Sequence, residues 1–424
     1  MSRITFCFAV FLCLLPTVII AEPDPTIPAV KGYITRAASP TDFDVNGFHI
    51  VCNDQTEFAS TNDGKTFIVH PAKAHYLGQG VTVFGTKNNK SHTIDANKII
   101  VTEQQQTDLS GKGIIDLLLP GDNPKTGERV FRADGYRILI NPKAHITLGE
   151  GLASLSAVGT NVWIRYSGKL QPDGTLIADS ADFIPNIIPD GENKLRTNNE
   201  YSPRAIDQKD KQSDLSKFFL GTNVKKIPPY KDPVMQARVD RIGASVIPAY
   251  QRALPASDPT KIYFRFQVID ETKWQDAITL PSGIILVPRQ VVERMQNDSQ
   301  LATVLADNIA TAIEKQSYRA VPAYRTMAAS QLASDVGGFF VPGVGVATLA
   351  VNYKASKIMR RHAEEQSGRI SLGYLHDAGY DVREAPKAWW LLGSKKPKNL
   401  SDINLPDRAA YLYSVLGQSW RTVQ

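Results

Sequence analysis

Between residues 30 and 184 the chain repeats itself at a period of about eighty residues, and a repeat of that length means one small unit built twice. The first copy reads VKGYITRA, FDVNGFHIVC, LGQGVTVFGT and TIDANKIIV; the second reads SGKGIIDL, FRADGYRILI, VGTNVWIRYSG and TLIADSADFI. Each has a glycine near the start of its first strand and a glycine before an alternating strand. Each also carries an Asn-Gly or Asp-Gly pair inside its second element, the residues that a two-residue hairpin turn demands because both must take positive φ. Val81 and Val83 in one copy, and Val162, Ile164 and Tyr166 in the other, recur at every second position, as a strand with one buried face requires. Two small all-β barrels are expected, over residues 28–103 and 108–186.

In pattern each copy resembles the OB-like barrel modules that recur, often in tandem, in exported bacterial proteins of unassigned function. Such barrels often bind oligonucleotides or sugars. Neither copy interleaves aromatic and basic residues as a base-stacking platform does, so a spacer or interaction module is expected and nucleic acid is not. A glycan or protein ligand stays open.

The chain starts MSRITFCFAVFLCLLPTVIIAEPDP: one positive charge, an uncharged run from Ile4 to Ala21, then acidic and proline-rich sequence. That is the layout of a secretory signal peptide over residues 1–21, ending at Ile19-Ile20-Ala21. The alternative is a retained anchor, since the run just suffices to span a bilayer. Export to the periplasm or the medium follows. Cleavage would leave Cys52 as the one thiol of three, so stability must come from packing and not from an internal disulfide. The formal charge of +6 is spread thinly, which fits a solvated surface better than a nucleic-acid groove. Weak attraction to anionic polymers or lipid headgroups remains open.

From residue 187 to 232 the sequence turns polar and then proline-rich, as an interdomain linker does, and helical periodicity begins past it. In PVMQARVDRIGASVIPAYQRAL, residues Val239, Ile242, Val246 and Ile247 share one face. Residues 297–313 read NDSQLATVLADNIATAI, with Asn297 and Gln300 placed as a capping box and Leu301, Val304, Leu305, Ile309 and Ala312 as a buried stripe. Asp307 and Thr311 stand at i and i+4, the spacing at which two histidines on one helix grip a metal.

With YFRFQVIDETKWQDAITLPSGIILVPRQ and RRHAEEQSGRISLGYLHDAGYDVREAPKAWW, this region resembles the HtpX-like and CAAX prenyl protease-type zinc metallopeptidases, which are gluzincins. The resemblance implies an α+β, mainly helical domain over residues 233–424 and a zinc-dependent endopeptidase site. It puts metal ligands at Asp307, Thr311 and Glu364 and the general base at Asn308, and only Glu364 keeps the family's ligand type. A threonine hydroxyl is a poor zinc donor, and an amide accepts no proton near neutral pH. Gly368 replaces the family's supporting Asp. The family's cleft-lining strand maps to Ile278 to Val287, with Ile278, Leu280, Gly283 and Ile285 as its substrate-edge residues. Of the seven histidines, only His362 and His376 lie in this domain, and neither is spaced to share an ion with Glu364.

The uncharged, glycine-rich stretch VGGFFVPGVGVATLAVNY, residues 336–353, is too broken for a membrane span and reads as a flap over the cleft or a membrane-surface segment. The run from Trp389 to Gln424 reads as a closing helix, with Leu412, Leu416 and Trp420 in its core face. The expected function is a pseudopeptidase that binds a polypeptide or an envelope partner and needs no cofactor. Two alternatives remain: an active zinc endopeptidase with an atypical site, and barrels that carry the binding on a docking platform.

Overall fold

The computed structural model describes residues 27–123, 128–198, 201, 227–272, 275–319, 344–393 and 405–421. The expected signal segment, most of the expected linker and the first part of the glycine-rich stretch lie outside the described residues.

The two repeats share one strand plan. In the first, β1 (Val30–Ala37) pairs antiparallel with β2 (Asp42–Val45), and β2 pairs antiparallel with β3 (Phe48–Val51). On its other side β1 pairs with β6 (Gly80–Asn88), which pairs with β7 (Thr93–Thr102). A parallel pairing of β3 with β7 closes the ring, and β4 (Glu57–Thr61) with β5 (Ile68–Val69) extends it. In the second repeat β8 (Thr107–Leu118), β9 (Val130–Ala133), β10 (Tyr136–Leu148), β11 (Val162–Leu170) and β12 (Thr175–Pro185) form a closed barrel. There too the third strand runs parallel to the fifth. One long strand, β10, does the work that β3 and β4 divide between them. Both copies break register at the same place in the fourth strand, at Phe84/Gly85 and Ser167/Gly168, the kind of bulge that lets a small sheet coil.

The alternation read from sequence carries the barrel cores. Val81, Val83, Val162, Ile164 and Tyr166 are all buried. Both hairpin turns form as expected: Asn46-Gly47 has φ 48° and 81°, and Asp134-Gly135 has 54° and 73°.

Within the segment expected as a linker, the described residues include a helix. Helix α1 (Asp190–Asn198) buries Glu192, which pairs with Lys315 at 2.9 Å. Helix α2 (Pro233–Ser245) starts on the Asp232 side chain, which accepts the Val234 and Met235 amides, and has proline in its first turn. It buries Val239 and Ile242; Val246 is buried just beyond its end, beside the partly buried Ile247. Helix α3 (Ala249–Ala253) leads to a three-stranded sheet in the order β13 (Arg265–Ile269), β15 (Ile284–Pro288), β14 (Ile278–Thr279). Then come α4 (Arg289–Arg294), α5 (Asp298–Ile313), α6 (Val344–Asp377), α7 (Ala385–Gly393) and α8 (Asp407–Ser419).

Helix α5 is buried on every side from Gln300 to Ala310, not along a stripe, while Ala312 is only half-buried. Each fully buried Leu or Ile there is worth about 1.5–3 kcal/mol of apolar transfer. The described part of the glycine-rich stretch, from Val344, is the first part of the 34-residue helix α6. Among the described residues no helix is long and apolar enough to cross a membrane.

The barrels are seated on the helical region. Ile114 and Trp163 of the second barrel lie in the helical core, with Tyr33 and Leu77 of the first barrel packed against it. Arg132 on β9 bonds Asp116 at 2.8 Å and both oxygens of Asp377 at 3.1 and 2.6 Å. Asp134 takes the Arg369 guanidinium at 2.6 Å. A side chain at Gly78 would run into the backbone of Tyr413 on α8, and one at Gly174 into Ser419 at its end.

Candidate functional site

Helix α5 starts on a working cap: the Asn297 side chain accepts the Gln300 amide at 2.9 Å, and Gln300 Oε1 accepts the Gln296 amide at 2.8 Å. Asp307, Asn308 and Thr311 then reach one wall of a cavity of ≈ 320 Å³. Glu364 and Ser367 of α6 form a second wall, and Ile278, Thr279 and Leu280 a third. Asp307, Asn308, Thr311, Glu364 and Ile278, expected from the sequence as parts of one site, thus line one cavity.

What the side chains do there is another matter. The Thr311 hydroxyl donates back to the Asp307 carbonyl at 3.0 Å, along its own helix. Asn308 is buried; its Nδ2 donates to the Val304 carbonyl at 2.9 Å, and its Oδ1 accepts the Thr279 hydroxyl at 2.7 Å. Both oxygens of Asp307 are in use: Oδ1 accepts from Ser367 Oγ and Oδ2 from Arg408 Nη2, each at 2.9 Å. Glu364 does not join Asp307. Its side chain is 37% exposed and lies 3.6 Å from Arg360, one turn earlier on α6.

Arg408 is the residue that sequence reasoning missed. The segment from Trp389 onward was expected to be core, and Leu412 and Leu416 are indeed buried, with Trp420 just past the helix end. Arg408, however, projects into the cavity from the second position of α8. Its guanidinium donates to Asp307 and, at 2.7 Å, to Asp276 Oδ2, and lies 3.3 Å from the centre of the Trp389 ring. Its own pKa is driven further up, burial being outweighed by the carboxylates of Asp307, Asp276 and Glu364. Asp276 keeps part of its surface open to the cavity, yet burial of its carboxyl among protein atoms is the largest effect and pushes it up to about 6; Arg408 works against that and Asp307 adds to it. One signal was available: an arginine in the first turn of a helix sits against the positive end of the helix dipole, and so calls for a local partner.

The expected edge strand is shorter than its sequence pattern. Of Ile278 to Val287 only β14, Ile278–Thr279, lies at a sheet edge, paired on one side with β15. Leu280 is buried and its amide bonds Ile284 O at 2.8 Å, closing a turn through Pro281-Ser282-Gly283, where Gly283 has φ 90°. Ile285 lies in the central strand β15 and is fully buried. Leu280, Gly283 and Ile285 therefore shape the hairpin, and of the four expected edge residues Ile278 alone stands on the edge strand.

A zinc ion does not fit these residues. Asp307 has no free oxygen, Thr311 is turned to its own backbone, and the space beside Asp307 holds the Arg408 guanidinium. Among the described residues no three His, Cys, Asp or Glu side chains are grouped to hold a metal. His362 and His376 are exposed, 3.7 Å from Glu365 and Asp377 respectively. At Gly368 a Cβ would lie 3.8 Å from Asp307 Oδ1, so an acidic side chain there would face another carboxylate. Comparison with known families matches residues 233–415 to the model described as peptidase family M48. No curated protein matches the chain.

Proposed function

We infer that this chain, whose residues 233–415 carry an M48 peptidase domain, binds polypeptide without cleaving it, as an exported pseudopeptidase. M48 peptidases are zinc-dependent, so the loss of the ligand set removes the means of activating water. Asn308 carries the reading. At the position of the family's general base stands an amide that has no basic lone pair, and its oxygen is committed to Thr279. The same bond fastens the former catalytic helix to β14, so what remains of the cleft is held open beside a strand edge. An extended segment of a polypeptide or an envelope protein can add to that edge through backbone hydrogen bonds, which need no metal.

The repeats are proposed to be OB-like modules that act as fixed supports. A five-stranded ring with the third and fifth strands parallel, present in both copies, supports the likeness. The second repeat's ion pairs to α6, and the close approach of Gly78 in the first repeat to the α8 backbone, support the fixed placing. Export rests on the leader-like first residues.

The test is elemental analysis of the purified full-length protein alongside a peptide-cleavage assay with and without chelator. Less than stoichiometric zinc and no cleavage are expected. Stoichiometric zinc with chelator-sensitive cleavage overturns the reading. An extended peptide N-methylated at alternate amides, which cannot add to the edge through its backbone, is expected to be captured about tenfold or more weakly than its unmodified form.

A further inference from the structure

We propose that the cavity between the second barrel and α6 takes the carboxylates of an acidic polypeptide, so that the partner captured at the β14 edge is one rich in Asp and Glu. This rests on the polypeptide-binding reading above and deepens it, because backbone pairing at a strand edge supplies affinity but does not choose among sequences.

This cavity, of ≈ 640 Å³, is lined by Lys112 of β8, by Arg319 beyond the end of α5 and by Gln366 of α6. Lys112 stands directly opposite Arg165 of β11, on the barrel face that carries Ile114 and Trp163. Like charges so paired across two strands destabilise a sheet unless an anion lies between them. Arg319 joins them from the helical side: its guanidinium lies 5.6 Å, and the Lys112 ammonium 4.6 Å, from the centre of the same Trp163 ring. Burial lowers the pKa of Lys112, and the charges of Arg319 and Arg165 lower it further. The acids nearby are engaged elsewhere, Asp134 with Arg369 at 2.6 Å and Glu365 with Arg361 at 2.8 Å. Glu314 lies 3.6 Å from Arg319, but its carboxyl, pushed up to about 8 by burial, brings no charge at neutral pH. Arg165 has Asp182 at 3.8 Å; among the described residues Lys112 makes no ion pair. Gln316 and Ala363 line both this cavity and the one beside β14, so the two adjoin. A chain paired on β14 therefore has a cationic chamber next to it. The aromatic rings beside that chamber already carry cations, Trp163 the two just named and Tyr136 the Arg369 guanidinium at 4.3 Å, which leaves no stacking platform of the kind a nucleic acid needs. A carboxylate needs only donors and charge, and a guanidinium takes it through two N–H groups at once.

The experiment measures binding to the full-length protein, by fluorescence anisotropy, of two labelled peptides that share one β-forming half and carry glutamate in the other half of one and glutamine in the other half of the second. Wild type is expected to bind the glutamate peptide at least about fivefold more tightly at low salt, and the gap to close as salt is raised. The double variant Lys112→Gln, Arg319→Gln is expected to bind both peptides alike, with the affinity wild type has for the glutamine peptide. Should the double variant fail to fold, Lys112→Gln alone, which leaves Arg319 and its bonds in place, is expected to narrow the gap about twofold or more. Equal binding of the two peptides by wild type, or a preference that survives in these variants, overturns the proposal and leaves the polypeptide reading standing. So does a thymidine oligonucleotide that binds wild type as tightly as the glutamate peptide and displaces it. Neither peptide binding to wild type, or chelator-sensitive cleavage of both, strikes the polypeptide-binding pseudopeptidase reading itself.

Discussion

The two hairpin turns of the repeats differ by one atom type in one side chain, and the difference sets what each barrel is attached to. In the first barrel Asn46 turns inward: its Oδ1 accepts the Tyr33 amide at 3.0 Å and its Nδ2 donates to the Lys31 carbonyl at 3.4 Å. The turn is complete within its own barrel. In the second barrel the equivalent residue is Asp134, which can only accept. Its Oδ1 takes Arg369 Nη2 at 2.6 Å and Gln366 Nε2 at 2.9 Å, and its Oδ2 takes the Tyr166 hydroxyl at 2.6 Å. The amide equivalent to that of Tyr33 belongs to Ile114, and it is served from outside, by Glu314 Oε1 at the end of α5, at 2.9 Å. One turn therefore closes within its own repeat, and the other docks its repeat on the helical region.

The comparison breaks most visibly at Asp134. Asp134→Asn makes the second turn like the first and strands the buried Arg369 charge, at an expected cost of about 3–5 kcal/mol in chemical denaturation. A loss below about 1 kcal/mol would show that docking does not depend on this pair. Next in size is a pH effect at Glu314. Burial holds this carboxyl at about 8, well above its ordinary 4.5, with the Ile114 amide and Arg319 pulling the other way. The folded protein keeps a proton that the unfolded chain gives up, so stability is lost as pH rises between those two values and levels off above them. The slope is at most about 1.4 kcal/mol per pH unit. Glu314→Gln keeps an acceptor for Ile114 and removes the titration, so its stability relative to wild type should climb from pH 5 to pH 8. A difference that stays flat with pH would mean Glu314 titrates normally. The smallest effect is the reciprocal swap, Asn46→Asp, which preserves the acceptor for Tyr33 and should move stability by no more than about 0.5 kcal/mol.

Much of this was legible in the sequence because it is local. The strand faces, the Asn-Gly and Asp-Gly turns and the cap at Asn297 are each set by a few neighbouring residues, and all stand as expected. The chemical poverty of Asp307, Asn308 and Thr311 was equally plain, since it depends only on what those side chains are. The parallel closure of each ring was not legible, because it joins strands far apart in the chain. Nor was the length of the edge strand: the resemblance ran it from Ile278 to Val287, and only the tight turn at Gly283 divides that run into two strands. Arg408 was hidden for the same reason. Its partners Asp276 and Asp307 lie on other elements, and no period or spacing connects an arginine on the last helix to them.

That last helix has a consequence for how the molecule is assembled. α8 brings Arg408 to the acids, its Tyr411 hydroxyl to Arg369, and its backbone at Tyr413 and Gly417 against the loop at Gly78. During synthesis it emerges after every element it fastens, so the barrels can form while the acidic chamber and the seats of both barrels wait for it. Maturation of the whole is thus gated by closure of its most distant contacts, the slow kind, and a ribosome-bound chain short of this helix would hold finished barrels on an unfinished base.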